Sequence, residues 1–140
     1  MDCIFCKIIQ GVLPAFKVYE DDEVIAFMDR KPINLGHILV LPKEHRESIF
    51  DMEPQKVGKL YEKVAIIAKN VKEALKADGL NIGQNNGKAA NQIIPHVHVH
   101  VIPRYLGDSP TGGWPSRKNA DLKELKEVAD KIRSYLTKSL

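Results

Sequence analysis

The sequence predicts an α+β fold in which an antiparallel sheet of about five strands packs against one long central helix and a C-terminal helix. Three observations support this prediction. Short apolar, β-branched runs recur between turn-forming residues. Apolar residues repeat at helical spacing over 57–75, with lysines on much of the opposite face, and a second amphipathic repeat covers 122–136. The length of 140 residues fits one domain and is enough to bury a core without disulfide bonds.

The elements are expected in a simple order along the chain. A helical turn covers 4–9 and is closed by Gly11 and Pro14. The long helix follows Pro54, and Gly79 is its expected end. A loop rich in glycine and proline at 107–115 precedes the C-terminal helix. The strands are expected at 17–20, 24–28, 37–41, 80–84 and 94–103.

Net charge, apolar content and the phosphate-loop motifs that are missing limit the classes of function to be considered. The net charge of +3 is too small to indicate nucleic-acid binding on its own. No stretch approaches the ~20 apolar residues that cross a bilayer, and we see no secretory signal. The chain has no glycine-rich phosphate loop of the Walker or Rossmann type. We therefore expect a cytoplasmic protein that binds neither nucleic acid nor membrane, with any phosphate site built from side chains.

Histidine and apolar residues alternate over the segment 96–102. Side chains alternate across a strand, so His96, His98 and His100 are expected on one face and the valines on the other. Neighbouring imidazoles would lie roughly 6–7 Å apart, a spacing that suits an extended phosphate chain. A metal site is the alternative, and a merely polar strand face is a third reading. On these residues alone, a metal site and a catalytic row are equally supported.

The same segment, His-Val-His-Val-His-Val-Ile, resembles the His-φ-His-φ-His-φ-φ motif of the histidine triad (HIT) family, where φ is apolar. The similarity extends from residue 3 to about 104, through A-F-M-D, G-H-I-L-V-L-P-K-E-H and the N-N-G turn. It is greatest to small bacterial HIT proteins of the Hint and Fhit type. The resemblance implies a single HIT domain over 1–140, with a core at about 3–104 and a loop and C-terminal helix at 105–140.

The resemblance assigns the chemistry to His98 and His100. His98 would attack the α-phosphorus of a purine nucleoside phosphoramidate or a dinucleoside polyphosphate, and water would then release a nucleoside monophosphate. His100 would contact phosphate oxygens and stabilise the developing charge. One alternative is a nucleotide-binding signalling or interaction module with little turnover. Another is a nucleotidyltransferase, although such relatives have longer chains with two HIT-like repeats.

The resemblance also implies a nucleotide-binding set beyond the triad. Asp29 would bind the ribose hydroxyls, and His37 would lie near the phosphates. The apolar members would line the base pocket, with ordinary core packing as their alternative. The two amides would bind the phosphates or the leaving group, and otherwise belong to a turn or strand edge. The full set is Phe5, Ile8, Phe27, Asp29, His37, Asn85, Gln92 and His100.

Cys3 and Cys6 form a C-x-x-C pair, which in a reducing compartment indicates metal or redox chemistry. Some HIT relatives bind zinc with two cysteines, a downstream histidine and the first triad histidine. The matching histidines here are His45 and His96. Such a zinc site would be structural, because four protein ligands leave no open position for water. The alternative is a thiol pair without metal and a surface histidine.

HIT proteins of this size usually form symmetric dimers through the long helix and an adjoining strand, so the resemblance implies a homodimer. The loop at 107–116 would influence the choice of leaving group. Within it, Trp114 is a candidate for covering the leaving-group side of the site.

Overall fold

The computed structural model describes residues 3–111 and 113–139, which contain a five-stranded antiparallel sheet. The strands are β1 (Lys17–Glu20), β2 (Val24–Met28), β3 (Ile38–Pro42), β4 (Gly79–Gly83) and β5 (Val99–Arg104). The helices are α1 (Ile4–Ile9), α2 (Pro54–Leu75) and α3 (Leu122–Ser139), with short 3₁₀ turns at Ile49–Asp51 and Lys88–Ala90. The strand order is β1-β2-β3-β5-β4, and the predicted α+β class is confirmed.

Helices cover both faces of the sheet. On one face, Val40, Val99 and Val101 belong to the core that α2 and α3 complete. On the other, Phe27 and Leu39 pack with α1 in a smaller cluster. Because both faces are covered, every residue of β2 and β3 is buried, and neither strand shows the alternation of a half-exposed sheet. None of the described helices is long and apolar enough to cross a bilayer.

The predicted strand at 94–103 is shorter than expected at its beginning, since β5 starts at Val99. The pairing of β3 with β5 ends where Val40 faces Val99. Two positions further on the partner would be Pro42, which has no N–H to donate. The N–H of Val97 instead donates to the carbonyl of Arg46 at 2.8 Å. His96 and His98 therefore lie in an extended segment just before the strand.

The end of α2 also differs from the expectation. The helix ends at Leu75, and Lys76 follows in the left-handed conformation with φ of 53°. The N–H of Ala77 then donates to the carbonyl of Lys72 at 3.1 Å, which closes the last turn. Gly79 is therefore the first residue of β4 and not the helix end. Glycine is the usual residue at this position, so a lysine there does not indicate the end of the helix in the sequence.

A substitution at Gly36, which precedes His37, tests how tightly the turn into β3 is packed. Its φ is +103°, and a Cβ there would overlap Cδ1 of Leu75. We expect Gly36→Ala to lower the free energy of unfolding by about 1–3 kcal/mol, measured by urea denaturation. Gly58→Ala in α2 is the control, since its Cβ would meet nothing within 4 Å and should stabilise the helix by up to about 1 kcal/mol. Equal stabilities for the two variants would contradict the packing argument.

Candidate active site

A cavity of about 470 Å³ opens on the α1 side of the sheet, beside the histidine segment. Its size is suitable for a nucleotide. One part of its wall is apolar and is formed by α1, the buried strands and the segment before β5; it includes Phe5, Ile8, Phe27, Leu39 and Ile94. The polar part of the wall includes Asp29, Asn85, His98, His100 and Arg117.

The hydrogen bond of His98 fixes which ring nitrogen is available for chemistry. Its Nδ1 lies 2.7 Å from the carbonyl oxygen of His96. A carbonyl can only accept, so Nδ1 carries the hydrogen and Nε2 keeps the lone pair. The edge-on ring of Phe5, with centroids 5.1 Å apart, helps to bury the imidazole. This burial lowers the pKa of His98 and favours the neutral ring.

A chain of hydrogen bonds fixes the tautomer of His100. The backbone N–H of Ile33 donates to Nδ1 of His37 at 3.1 Å, so the hydrogen of His37 is on Nε2. That Nε2 lies 2.9 Å from Nδ1 of His100 and donates to it. His100 therefore carries its own hydrogen on Nε2. Burial lowers the pKa of His37 to about 3 and that of His100 to about 4, so both rings are neutral at pH 7.

Asp29, His37 and His100 bring three potential ligand atoms close together. An oxygen of Asp29 lies 3.6 Å from Nε2 of His37. However, the hydrogen bond that Ile33 donates to Nδ1 places the ring hydrogen of His37 on this Nε2. The nitrogen therefore has no lone pair to give a cation. The geometry therefore favours a hydrogen-bond relay here over a metal site.

The residues Cys3, Cys6, His45 and His96 form a second cluster that could hold a metal ion. Nδ1 of His96 lies 3.5 Å from Sγ of Cys3, and Nδ1 of His45 lies 3.2 Å from Sγ of Cys6. Tetrahedral bonds of zinc length separate such ligand atoms by about 3.3–3.8 Å, so the donor set fits.

The second nitrogen of His96 supports the same assignment. Nε2 of His96 donates to the carbonyl of Pro42 at 2.8 Å, which leaves Nδ1 free of hydrogen and aimed at the cysteines. Both cysteines are free thiols. His96 thus belongs to this cluster of Cys3, Cys6, His45 and His96, called the cysteine cluster below, whereas His98 and His100 line the cavity.

The model of the HIT domain family matches residues 10–107. The chain belongs to the HIT family. An adenylylsulfatase of Arabidopsis thaliana is 42% identical to it over 137 residues, which cover 96% of this chain and 70% of that protein. An adenosine 5'-monophosphoramidase of Schizosaccharomyces pombe is 36% identical over 137 residues, which cover 97% and 99% of the two chains.

Solved structures agree with this assignment. A zinc-bound histidine triad family protein from Mycobacterium smegmatis has a TM-score of 0.87 and 36% sequence identity to this HIT protein. The likeness covers 99% of this chain and 96% of that one. The fold is therefore shared over nearly the whole length of both.

Not all of the predicted nucleotide-binding residues of this HIT protein line the cavity. Asp29 and Asn85 line the cavity together with the predicted apolar members. His37 is fully buried behind His100. The amide of Gln92 is engaged elsewhere, donating to the carbonyl of Glu47 at 2.5 Å and accepting the N–H of Gly87. In the described chain, Gln92 therefore ties loops together and is not part of the cavity wall.

Sequence reasoning missed Arg117 and expected Trp114 in a different place. Arg117 reaches the cavity from the loop before α3 and contacts Asp29, 88 residues earlier in the chain. No periodicity or motif marks such a long-range contact. Trp114 lies against β4, where its ring would meet a Cβ placed on Gly83 at 3.5 Å. It is half-exposed and does not line the cavity that His98 and His100 line.

The tautomers can be measured directly by proton–nitrogen correlation spectra of the imidazole rings. We expect the hydrogen of His98 on Nδ1 and that of His100 on Nε2, because a carbonyl faces the first and His37 donates to the second. His37→Phe keeps the volume of the ring but removes the donor, so His100 should then populate both tautomers. His98 serves as the internal control and should not change. A wild-type His100 with its hydrogen on Nδ1 would contradict the relay.

Proposed function

We propose that this HIT protein is a nucleotide hydrolase. It cleaves at the α-phosphate of nucleoside phosphoramidates or dinucleoside polyphosphates and releases a nucleoside monophosphate. The observation that carries the proposal is the buried imidazole of His98, whose Nδ1–H is held by a carbonyl so that Nε2 is the nitrogen able to attack. A second neutral imidazole, His100, stands beside it with ring centroids 5.1 Å apart.

The reaction takes place in two displacements. The lone pair on Nε2 of His98 forms a bond to the α-phosphorus, and the bond from phosphorus to the leaving nitrogen or oxygen breaks. The leaving group departs with that electron pair and takes up a proton. Water then attacks the same phosphorus and loses a proton, and the bond between phosphorus and Nε2 breaks. The net change is the consumption of one water molecule, and His98 returns to its neutral form.

The Nε2–H of His100 supplies a hydrogen-bond donor for the phosphate oxygens during both steps. His37 acts through His100, because its own Nε2–H holds that ring in the donating tautomer. Asp29, whose carboxylate lies close to His37 and His100, is suited to the ribose hydroxyls. The apolar wall around Phe5 and Phe27, whose ring centroids are 5.6 Å apart, is suited to a purine base.

The relatives support the same chemistry. The enzymes named above act on adenosine 5'-monophosphoramidate and adenylylsulfate, and both reactions release a group from the phosphorus of an adenylate. This agreement favours turnover over a purely signalling role, which would need no nucleophile at His98.

We also propose that the cluster of Cys3, Cys6, His45 and His96 binds structural zinc. The zinc-bound relative and the spacing of the four donor atoms support this assignment. Zinc would join α1 to the segments before α2 and before β5. Four protein ligands would leave no position for substrate, so zinc has no direct part in the reaction.

The proposal includes a cytoplasmic homodimer. The free cysteines are compatible with a reducing compartment. β4 is at one edge of the described sheet, and the half-exposed side chains of Ile82 and Tyr61 lie on β4 and on α2. These exposed apolar groups favour burial against a second copy.

The nucleophile can be tested with His98→Asn. We expect kcat/KM to fall roughly a thousandfold or more on the best of a panel of adenosine and guanosine phosphoramidates and dinucleoside polyphosphates. The asparagine cannot form the covalent intermediate, so turnover should be lost. The binding of AMP needs no such intermediate and should persist. In wild type, a substrate with chiral phosphorus should react with retention of configuration, as two displacements require. Inversion, or full activity in the variant, would refute the mechanism.

Two substitutions test the metal assignment. We expect Cys3→Ser and His45→Ala each to lose bound zinc, measured by metal analysis of the purified protein. The melting temperature should fall by about 10 °C in each. His45 is partly exposed, so its truncation removes little packing and the loss of stability reports on the metal. Treating wild type with a chelator should lower its melting temperature in the same way. Stoichiometric zinc in both variants would refute the assignment.

A further inference from the structure

Arg117 is a charged residue of the cavity wall that lies outside the family match at 10–107. Its Nη1 donates to Oδ2 of Asp29 at 2.8 Å and to the carbonyl of Lys31 at 2.6 Å. A guanidinium has five N–H donors. Within the described residues, its Nε and Nη2 make no hydrogen bond, and 47% of the side chain is exposed. Arg117 therefore has donors to offer a ligand while its position is held by Nη1.

The next residue anchors this part of the loop. The backbone N–H of Lys118 donates to the carbonyl of Pro32 at 2.7 Å. Its Nζ donates to the carbonyl of Ile33 at 3.0 Å and to the side-chain oxygen of Asn34 at 2.5 Å. These three bonds tie the loop before α3 to the turn that follows β2. Arg117 is thus held beside Asp29 by its own bond to the carbonyl of Lys31 and by the anchoring of the residue that follows it.

The charges around the cavity explain what Arg117 could add. His100, which lines it, has a pKa of about 4 because it is buried, so at pH 7 it offers a hydrogen bond but no full positive charge. Arg30 and Lys31 also line the cavity, but among the described residues neither forms an ion pair with Asp29. Asp29 contributes a negative charge that opposes an anionic substrate. The guanidinium of Arg117 offsets this charge and adds a planar fork suited to phosphate oxygens.

We propose that Arg117 binds a second phosphoryl group of the nucleotide, in addition to the one that His98 attacks. This inference rests on the proposed function and extends it by naming a substrate class, nucleotides with at least two phosphoryl groups. The second group could be attached to the 5' chain, as in a polyphosphate, or to the ribose beside Asp29. Both present the same chemistry to a guanidinium, and ligand choice separates them.

Calorimetric titration of the purified protein tests the proposal. The ligands are AMP, α,β-methylene-ADP, which resists cleavage, and adenosine 3',5'-bisphosphate. We expect wild type to bind one of the two doubly phosphorylated ligands about tenfold more tightly than AMP. The preferred ligand tells whether the second group lies on the 5' chain or on the ribose. Arg117→Gln should remove this preference. AMP should also bind less tightly, because Asp29 loses its offsetting charge, but it should lose less affinity than the preferred doubly phosphorylated ligand.

Arg30→Gln is the matched control. Arg30 lines the same cavity and carries the same charge, but it makes no ion pair among the described residues. We expect this variant to keep the preference of wild type. Arg117→Lys keeps the charge without the planar fork, and should keep only part of the preference. Thermal unfolding of each variant reports whether the fold is intact.

Three results would overturn the inference. One is equal binding of all three ligands by wild type. Another is an equal loss of preference in Arg30→Gln, which would show that only the total charge of the rim matters. The third is an equal loss of AMP and of the doubly phosphorylated ligands in Arg117→Gln, which would show that Arg117 only positions Asp29. The proposed hydrolysis is measured separately through His98 turnover, so the two proposals can fail independently.

Discussion

Pro42 is the last residue of β3, and a proline has no N–H to give to a neighbouring strand. The ladder between β3 and β5 begins only at Val99, and the chain before it makes other bonds. Val97 donates its N–H to the carbonyl of Arg46, and the ring of His96 donates to the carbonyl of Pro42 itself. Freed from the strand register, His96 can turn to the cysteines while the next histidine faces the cavity.

Burial then determines the charge of the site. His37 and His100 have pKa values of about 3 and 4, since desolvation disfavours the charged ring. A lowered pKa means that these rings remain neutral at every pH above about 5, where nucleotide phosphates are ionised. The formal charges held together in the cavity wall are those of Asp29 and Arg117, which form an ion pair. Arg30 and Lys31 also line the cavity, so the polar wall combines neutral imidazoles with three cationic side chains, of which Arg117 is the one paired with Asp29 among the described residues.

Much of this arrangement could be predicted from local sequence patterns. The 3.6-residue repeats gave α2 and α3, the short apolar runs gave five strands, and the alternating histidines gave the buried row beside the cavity. The four donors of the cysteine cluster came from a resemblance that spans distant segments. The helices, the strands and the histidine row depend on residue types at fixed spacing, which can be read directly from the sequence.

The remaining features depend on contacts between distant segments. The start of β5 at Val99 follows from a proline more than fifty residues earlier. Gln92 makes a hydrogen bond with Glu47 because two loops meet, and Arg117 reaches Asp29 only after the chain has folded back over the turn after β2. No repeat or motif in the sequence indicates these long-range contacts. The family resemblance placed His37 near the phosphates, whereas the structure buries it fully and makes it the hydrogen-bond partner of His100.

The cysteine cluster and the nucleophile are connected by two short paths through the backbone. The carbonyl of His96, a member of the cluster, accepts the Nδ1–H of His98 and so selects its tautomer. Cys3 caps α1 through the N–H of Cys6, and Phe5 between them packs against the ring of His98. A cation held by the cluster would fix both the carbonyl and the aromatic wall. Metal binding in this chain would therefore stabilise the fold and orient the attacking nitrogen through the same residues, with no contact between metal and substrate.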